Sequence, residues 1–424
     1  MAKTVPLDAR TLQWARRLFA RYYRSAPISP PARLARREFA AFPFAEQTLM
    51  RRHASLRSAE EFHAFLSRES PRHVYYSSAY YRHPADPKMA DKDWLGADLI
   101  FDLDSDHLRG AGELDYPGQL RLVKERLKQL LDDFLFGDFG VDPAQTSLVF
   151  SGGRGYHVHV HDPPFQSLTS PERREIVEYV LGMGYDPLSA VEEVREGDGG
   201  VGDADGSAVS EVLANASGRR TRARSFKRLP APDAPGWKGR TTRAVIRLLE
   251  HWDAIGAEGA TQELLRMNVE PVRARRWAKW LVTDGGGRRI RETRSLEVFP
   301  KEVPKDFLDV VLPQAAIELQ GETDAPVTTD IHRLIRLPDS IHGGTGFRAK
   351  AIERASLDEF DPWRDALFPA AREERFSVQL TESIRYPFQP DAIVGRSGDT
   401  VDVVTPAALF LVLRGEAVLP PEPA

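Results

Sequence analysis

Two strand-like runs, GADLIFDLD at 96–104 and SLVFSGGRGYHVHVH at 147–161, flank a charged helical stretch near Leu120 to Phe136. Each run joins a short apolar stretch, LIF or LVF, to an alternating one, FDLD or HVHVH, the pattern of a buried or half-buried strand, whereas the stretch between them has helical spacing. A chain that mixes the two periods in this way is expected to form a mixed α/β (α+β) fold with a sheet at its centre. An earlier segment, Leu12 to Tyr23, places Leu12, Ala15, Leu18, Phe19 and Tyr22 at helical spacing with arginines between them, and predicts an amphipathic helix.

At 424 residues, with 42% hydrophobic and 28% charged residues, the chain exceeds one compact unit. We expect a first core segment over 1–165, a mainly helical insertion over 166–264, and a second core segment with a C-terminal tail over 265–424. The stretch from Glu192 to Glu211 is rich in Gly, Asp and Glu and reads as a solvated loop. The next stretch, from Asn215 to Leu229, holds Arg219, Arg220, Arg222, Arg224, Lys227 and Arg228 with no acid. Arg273, Arg275, Arg276 and Lys279 form a second basic group around Trp277 and Trp280. The terminal PPEPA has no means of packing.

Cysteine is absent, which excludes disulfides, thiolate catalysis and any cysteine-ligated zinc or iron–sulfur site. A metal must then bind oxygen or histidine. No apolar run reaches the ~18 residues of a membrane helix and no secretory signal opens the chain, so a cytoplasmic protein that does not contact membrane is expected. The net charge of -4 argues against a uniformly basic coat.

Three groups of residues carry chemistry. In FDLDSD, Asp102, Asp104 and Asp106 alternate, and on a strand such residues share one face ~6.6 Å apart. Two of them can grip divalent cations from one side, although alternating aspartates also mark the solvent face of an ordinary strand. In SGGRGYHVHVH, the glycines allow close backbone approach and Arg154 offers a bidentate donor to phosphate. His157, His159 and His161 share a face as well, so a histidine-bound transition metal is a rival reading. The third group places Asp324 ahead of Arg333, Arg336, Ser340 and His342, a carboxylate followed by cationic and hydroxyl donors. Together they supply acids for metal and bases for triphosphate.

With LFARYY, RREFAAFPF, MRRHASL, YYSSAYY, KDWLGADLIFDLDSDHL, SGGRGYHVHV and VTTDIHRLIRLPDSIHGGTG in this order, the chain closely resembles the catalytic small subunit of archaeal and eukaryotic replicative primases. The resemblance covers roughly residues 10–350. It implies a primase-type catalytic core in which Asp102, Asp104 and Asp324 hold Mg2+ or Mn2+ and Asp106 is a bystander. It implies that Ser151, Arg154 and His157 meet the phosphates of a nucleoside triphosphate, with Arg336, Ser340 and His342 across the pocket and Arg52 nearby. It further implies a single-stranded DNA template and a heterodimer with a large primase subunit.

Three departures from the family pattern matter. Many members carry a basic residue where Gly153 stands, and many carry a lysine where Gly344 stands, which makes Arg348 a candidate replacement. The zinc knuckle of other members has no ligands here: RGAGELDY, from Arg109 to Tyr116, reads as its remnant, and no structural zinc is expected. Other readings are a primase-like polymerase of repair or end joining, a histidine-metal hydrolase, and a non-catalytic subunit that binds nucleic acid through Arg219, Arg220, Arg222 and Arg224.

Overall fold

The computed structural model describes residues 8–44, 49–195, 225–297, 307–317, 320–370 and 374–420. The chain divides into two compact units, one of residues 1–181 and 321–424 and one of residues 182–320. The architecture is mixed α/β.

The first unit is built on two four-stranded antiparallel sheets. In one, β1 (Phe39–Phe42) lies between β2 (Arg51–Ala54) and β3 (His73–Ser77). The other contains β4 (Leu99–Asp104), β5 (Thr146–Phe150) and β6 (Gly155–Val160), with β6 in the middle of the three. After the second unit the chain returns to both sheets: β7 (Leu334–Arg336) pairs with β3 and β8 (Lys350–Ile352) pairs with β5. β4 is therefore an edge strand, bonded to β6 alone. Leu99, Ile100, Phe101 and Leu103 are buried, while Asp102 and Asp104 remain partly accessible on the shared face that alternation dictates.

Helices close this unit. α1 (Ala9–Ser25) begins at Asp8, whose carboxylate accepts from Thr11 N at 2.9 Å, and buries Trp14, Ala15, Leu18, Phe19, Tyr22 and Tyr23 at helical spacing. α2 (Tyr116–Gln129) starts from an Asp115 cap and continues through a π-helical stretch, Leu130–Asp138, that buries Leu130, Leu131, Phe134 and Leu135. α3 (Ser170–Val180) opens with a capping box between Thr169 and Glu172. It packs against α4 (Ala325–Thr329). α5 (Thr405–Arg414) is buried from Ala407 to Leu413 and packs on the strand Arg375–Leu380.

The second unit is mainly helical. The helix Gly236–Arg266 breaks at Gly256, where φ is 74° and ψ is 172°, a conformation open to glycine. The chain folds back there, so that Trp252 Nε1 donates to Glu263 at 2.8 Å across the break. Trp252, Leu249 and Leu264 form one core with Trp277 and Leu281, which follow on Pro271–Ala278 and its continuation, and with Ile290 of Gly286–Thr293.

These units do not follow the expected 166–264 boundaries. α3 lies inside the expected insertion but belongs to the first unit, where its Val177 and Val180 are buried. Residues 265–320 belong with the helical unit, because the apolar faces of its helices share the Trp252 core. The expected loop at Glu192 begins as a strand, Glu192–Arg195, paired with Ser225–Arg228. Arg219, Arg220, Arg222 and Arg224 lie outside the described residues, as do the last four residues of the tail.

Candidate active site

Antiparallel register sets Asp102 opposite His157 and Asp104 opposite Gly155. The second pairing requires glycine, since a Cβ at Gly155 would fall 2.1 Å from Leu103 O. The edge position of β4 leaves its outer side free for a partner from far along the chain. Asp324 N donates to Asp102 O at 2.8 Å, and Thr323 Oγ1 approaches the same oxygen at 3.2 Å. Asp324 then occupies the position before α4 without a capping hydrogen bond from its side chain. Two hydrogen bonds to one carbonyl thus bring a third carboxylate beside the strand.

The three acids repel one another. Burial first, then the charges of Asp104 and Asp324, push the Asp102 carboxyl up to about 7, against the pull of Arg333 and Arg336. Among the described residues, no three His, Asp or Glu side chains stand close enough to ligate one ion. Magnesium and manganese take one or two carboxylates and leave positions for water and phosphate, which paired acids on one strand face can provide. Oxygen donors with an excess of negative charge fit that class of ion.

Cations lie on the other side. Arg336 is buried, and its guanidinium meets His73 Nδ1 at 3.0 Å and Tyr75 Oη at 3.1 Å, both neutral groups. Arg72, also buried, donates to Gly343 O at 2.9 Å. Neither arginine meets a carboxylate among the described residues. His342 sits beside them, 5.1 Å from His73 between ring centroids, and burial with the nearby Arg336 holds its pKa well below the ordinary value. A buried cation without a buried anion is a strong site for phosphate.

The glycine loop lies between these groups. Ser151 Oγ accepts from Gly153 N at 3.2 Å, and Arg154 reaches Asp106 directly and Asp104 at 3.8 Å. Asp106 is thus a partner of Arg154. Gly152 adopts φ +76°, and a Cβ there would meet His342 Cβ at 2.8 Å. His157 Nε2 stands 3.7 Å from Asp102 Oδ1, with its pKa held well down by burial, then by His159, Arg336 and Arg333.

The other expected residues lie in different surroundings. Ser340 is fully buried and its hydroxyl donates to Leu337 O at 2.6 Å. Arg52 is paired with Glu38 at 2.9 Å, which also meets Lys92 and His53 at 3.3 Å. Arg348 lies 3.9 Å from Asp339. The three histidines do not converge: their ring centroids are spaced at 6.2 and 6.0 Å, His159 stacks on Tyr76, and His161 faces Asp98 at 3.3 Å.

Two residues that the sequence reading passed over hold the glycine loop. Thr345 Oγ1 donates to Gly152 O at 2.5 Å, and Tyr116 Oη donates to Gly153 O at 2.6 Å. Tyr116 opens α2 and its ring is enclosed by Trp363, Tyr386 and Phe410, with the Arg414 guanidinium 4.4 Å from its centroid. Nothing local in RGAGELDY signals that contact, since both partners are distant in sequence. Tyr116→Phe is expected to raise KM for nucleotide several-fold. The lost hydrogen bond costs about 1 kcal/mol, so the thermal midpoint should move little. Unchanged KM in steady-state incorporation assays would remove Tyr116 from the loop's support.

Residues 101–354 match the family model described as DNA primase small subunit. The chain is 36% identical to the DNA primase small subunit PriS of Methanothrix thermoacetophila over 97% of this chain and 99% of that one. It is 36% identical to PriS of Methanocella arvoryzae and 35% identical to PriS of Methanococcoides burtonii, again over 97% of this chain and 99% of each relative.

Proposed function

The chain belongs to the DNA primase small-subunit family, and on that premise we propose that Asp102, Asp104 and Asp324 form the catalytic centre of a nucleotidyltransferase that makes short primers on single-stranded DNA during replication. One observation carries this reading. The Asp102 carboxyl, whose charge is opposed by burial and two neighbouring acids, lies within electrostatic reach of the buried Arg336, which meets only neutral His73 and Tyr75 among the described residues. Phosphoryl transfer needs both halves, the first for cations and the second for triphosphate.

The 3′ hydroxyl of one nucleotide attacks the α-phosphorus of the next nucleoside triphosphate; a P–O bond forms and pyrophosphate leaves. Asp102 and Asp104, with Asp324 beside them, would hold divalent magnesium or manganese, which when bound would supply activation of the hydroxyl and charge neutralisation at the leaving group. Arg154, Arg336 and His342 hold the triphosphate, and Ser151 with the backbone of Gly152 and Gly153 shapes its cradle. Uncharged His157, close to Asp102, orients rather than ionises. Ser340 holds the turn that carries His342, and Arg52 acts through Glu38.

No helix among the described residues is long and apolar enough to cross a membrane. We place the protein in the cytoplasm, in a heterodimer with a large primase subunit, without structural zinc. The repair-polymerase reading shares the same centre; the histidine-metal hydrolase reading has no convergent ligand set behind it. The test is incubation of the purified chain, with and without a large subunit, on unprimed single-stranded DNA. Ribonucleotides and deoxyribonucleotides are supplied separately, each with magnesium or manganese. Oligonucleotide products are expected; none under any combination overturns the proposal.

A further inference from the structure

In the helical unit, the helix Pro271–Ala278 and the turn after it sort their side chains sharply. Ala274, Trp277, Ala278 and Leu281 are buried, whereas Val272, Arg275, Arg276 and Lys279 are exposed, Val272 by 69%. At helical periodicity these four exposed positions fall on one stripe. Arg275 and Lys279 are four residues apart and Arg276 and Lys279 three, so three like charges repel within one turn. None of the three has an ion-pair partner among the described residues. The adjacent acid, Glu270, accepts from Val272 N and Arg273 N at the start of the helix, both at 3.0 Å, and its charge also acts on Arg276 without forming an ion pair, which leaves Arg275 and Lys279 unanswered among the described residues.

The cluster stands out locally, because the only acid beside it is Glu270 at the start of the helix. The buried Trp277 anchors the helix in the core and would do so with any polar residues outside, so packing does not call for the cations. Their arrangement is complementary to a chain of phosphates. Trp280, at the edge of the stripe, is mostly buried with part of its ring accessible, and it packs its inner side on Gly286, where a Cβ would come within 2.5 Å of the ring. Cations beside a partly open aromatic ring are the usual elements of a single-strand surface.

We propose that this face, Arg275, Arg276 and Lys279 with Trp280 at its edge, holds the backbone of single-stranded DNA. The proposal rests on the reading that the chain works on a DNA strand. It adds a contact in a different unit from the carboxylates. Binding there is by charge and stacking and carries no base preference.

The test uses the full chain and a fluorescein-labelled thirty-nucleotide oligothymidylate, with anisotropy followed from low to moderate salt. Arg275→Gln, Arg276→Gln, Lys279→Gln combined is expected to weaken binding ~10- to 100-fold and to lower the slope of log affinity against log salt by about 2, at ~0.7 per phosphate contact. Arg275→Lys, Arg276→Lys should retain the slope. A control that neutralises Arg16, Arg17 and Arg24, exposed on α1, should behave as the parent. Asp102→Ala, Asp104→Ala should also bind as the parent, so an inactive centre leaves this inference standing. An unchanged slope in a folded triple variant overturns it. So does an equal loss in the control, or a loss confined to duplex DNA or to capture of the large subunit.

Discussion

Asp102→Ala is expected to reduce nucleotide incorporation by at least ~1,000-fold while leaving the fold intact or slightly more stable. The two effects have one cause. Asp102 is held where burial and the neighbouring Asp104 and Asp324 oppose its charge, an arrangement that costs stability in the metal-free protein. Removing the carboxylate relieves the repulsion and also removes the group best placed to hold a divalent cation. A variant of the neighbouring Asp106 offers a contrast, because that residue engages Arg154 directly. Asp106→Asn should weaken the hold on Arg154 and affect KM more than kcat. Steady-state kinetics on a primed template, with thermal unfolding of each variant, would check this; an Asp102→Ala enzyme within tenfold of the parent would sink the assignment.

The same residue sets a pH dependence. With its carboxyl pushed up to about 7 in the folded chain and near 4 when unfolded, the folded state binds more protons between those values. The metal-free protein should therefore lose stability as pH rises from about 4 to 7. Metal must displace that proton below pH 7, so the thermal shift produced by a fixed magnesium or manganese concentration should grow as pH rises toward 7 and then level off. Asp102→Ala should lose both trends. A metal-induced shift that is independent of pH between 5.5 and 7.5 would show that Asp102 does not ligate.

Much of this centre was legible because its parts are local. Alternation alone places Asp102 and Asp104 on one face, and a run of glycines beside an arginine is the pattern from which the phosphate cradle is proposed. Choosing between Asp104 and Asp106 was beyond alternation, since the strand ends at Asp104 and only the turn after it sends Asp106 toward Arg154. Asp324 is recognisable as a carboxylate near arginines, but its hydrogen bond to Asp102 O depends on β4 being an edge strand, which is a property of topology. Arg52 illustrates the converse: nothing near it in sequence reveals that Glu38 lies across the β1–β2 pair to claim its guanidinium. The histidines share a face as alternation requires, yet the flat strand keeps their rings about one residue pair apart, and each finds its own partner. The unit boundaries were missed because apolar spacing shows that α3 buries a face and not which core receives it.

Breaking the Arg37–Asp98 pair should cost the most stability of any single polar substitution in the catalytic unit. Both side chains are almost wholly buried, 1% and 0% exposed, and their closest atoms are 2.8 Å apart. Arg37 also donates to Ala32 O, Ser77 O and Ser78 O, and Tyr80 Oη donates to Asp98 at 2.6 Å, so every charged atom is answered. Asp98 precedes β4, and Arg173 donates to Asp98 O at 2.9 Å and Ala97 O at 2.7 Å, which fixes the start of the strand that carries Asp102 and Asp104. Arg37→Met leaves a buried carboxylate and Asp98→Leu a buried guanidinium; each should cost ~3–5 kcal/mol, whereas the double variant should cost less than the sum of the two. Hydrogen bonds, with the Arg37 and His161 charges, hold the Asp98 carboxyl well below the usual range against burial. A depressed carboxyl stabilises the folded state above its unfolded pKa near 4, and that stability is lost only as pH falls through the lower folded value. Urea titrations of the parent and Asp98→Leu at pH 7 should therefore differ by the full amount and converge on strong acidification. Equal midpoints at pH 7 would mean that the pair contributes specificity to the strand's position and little to stability.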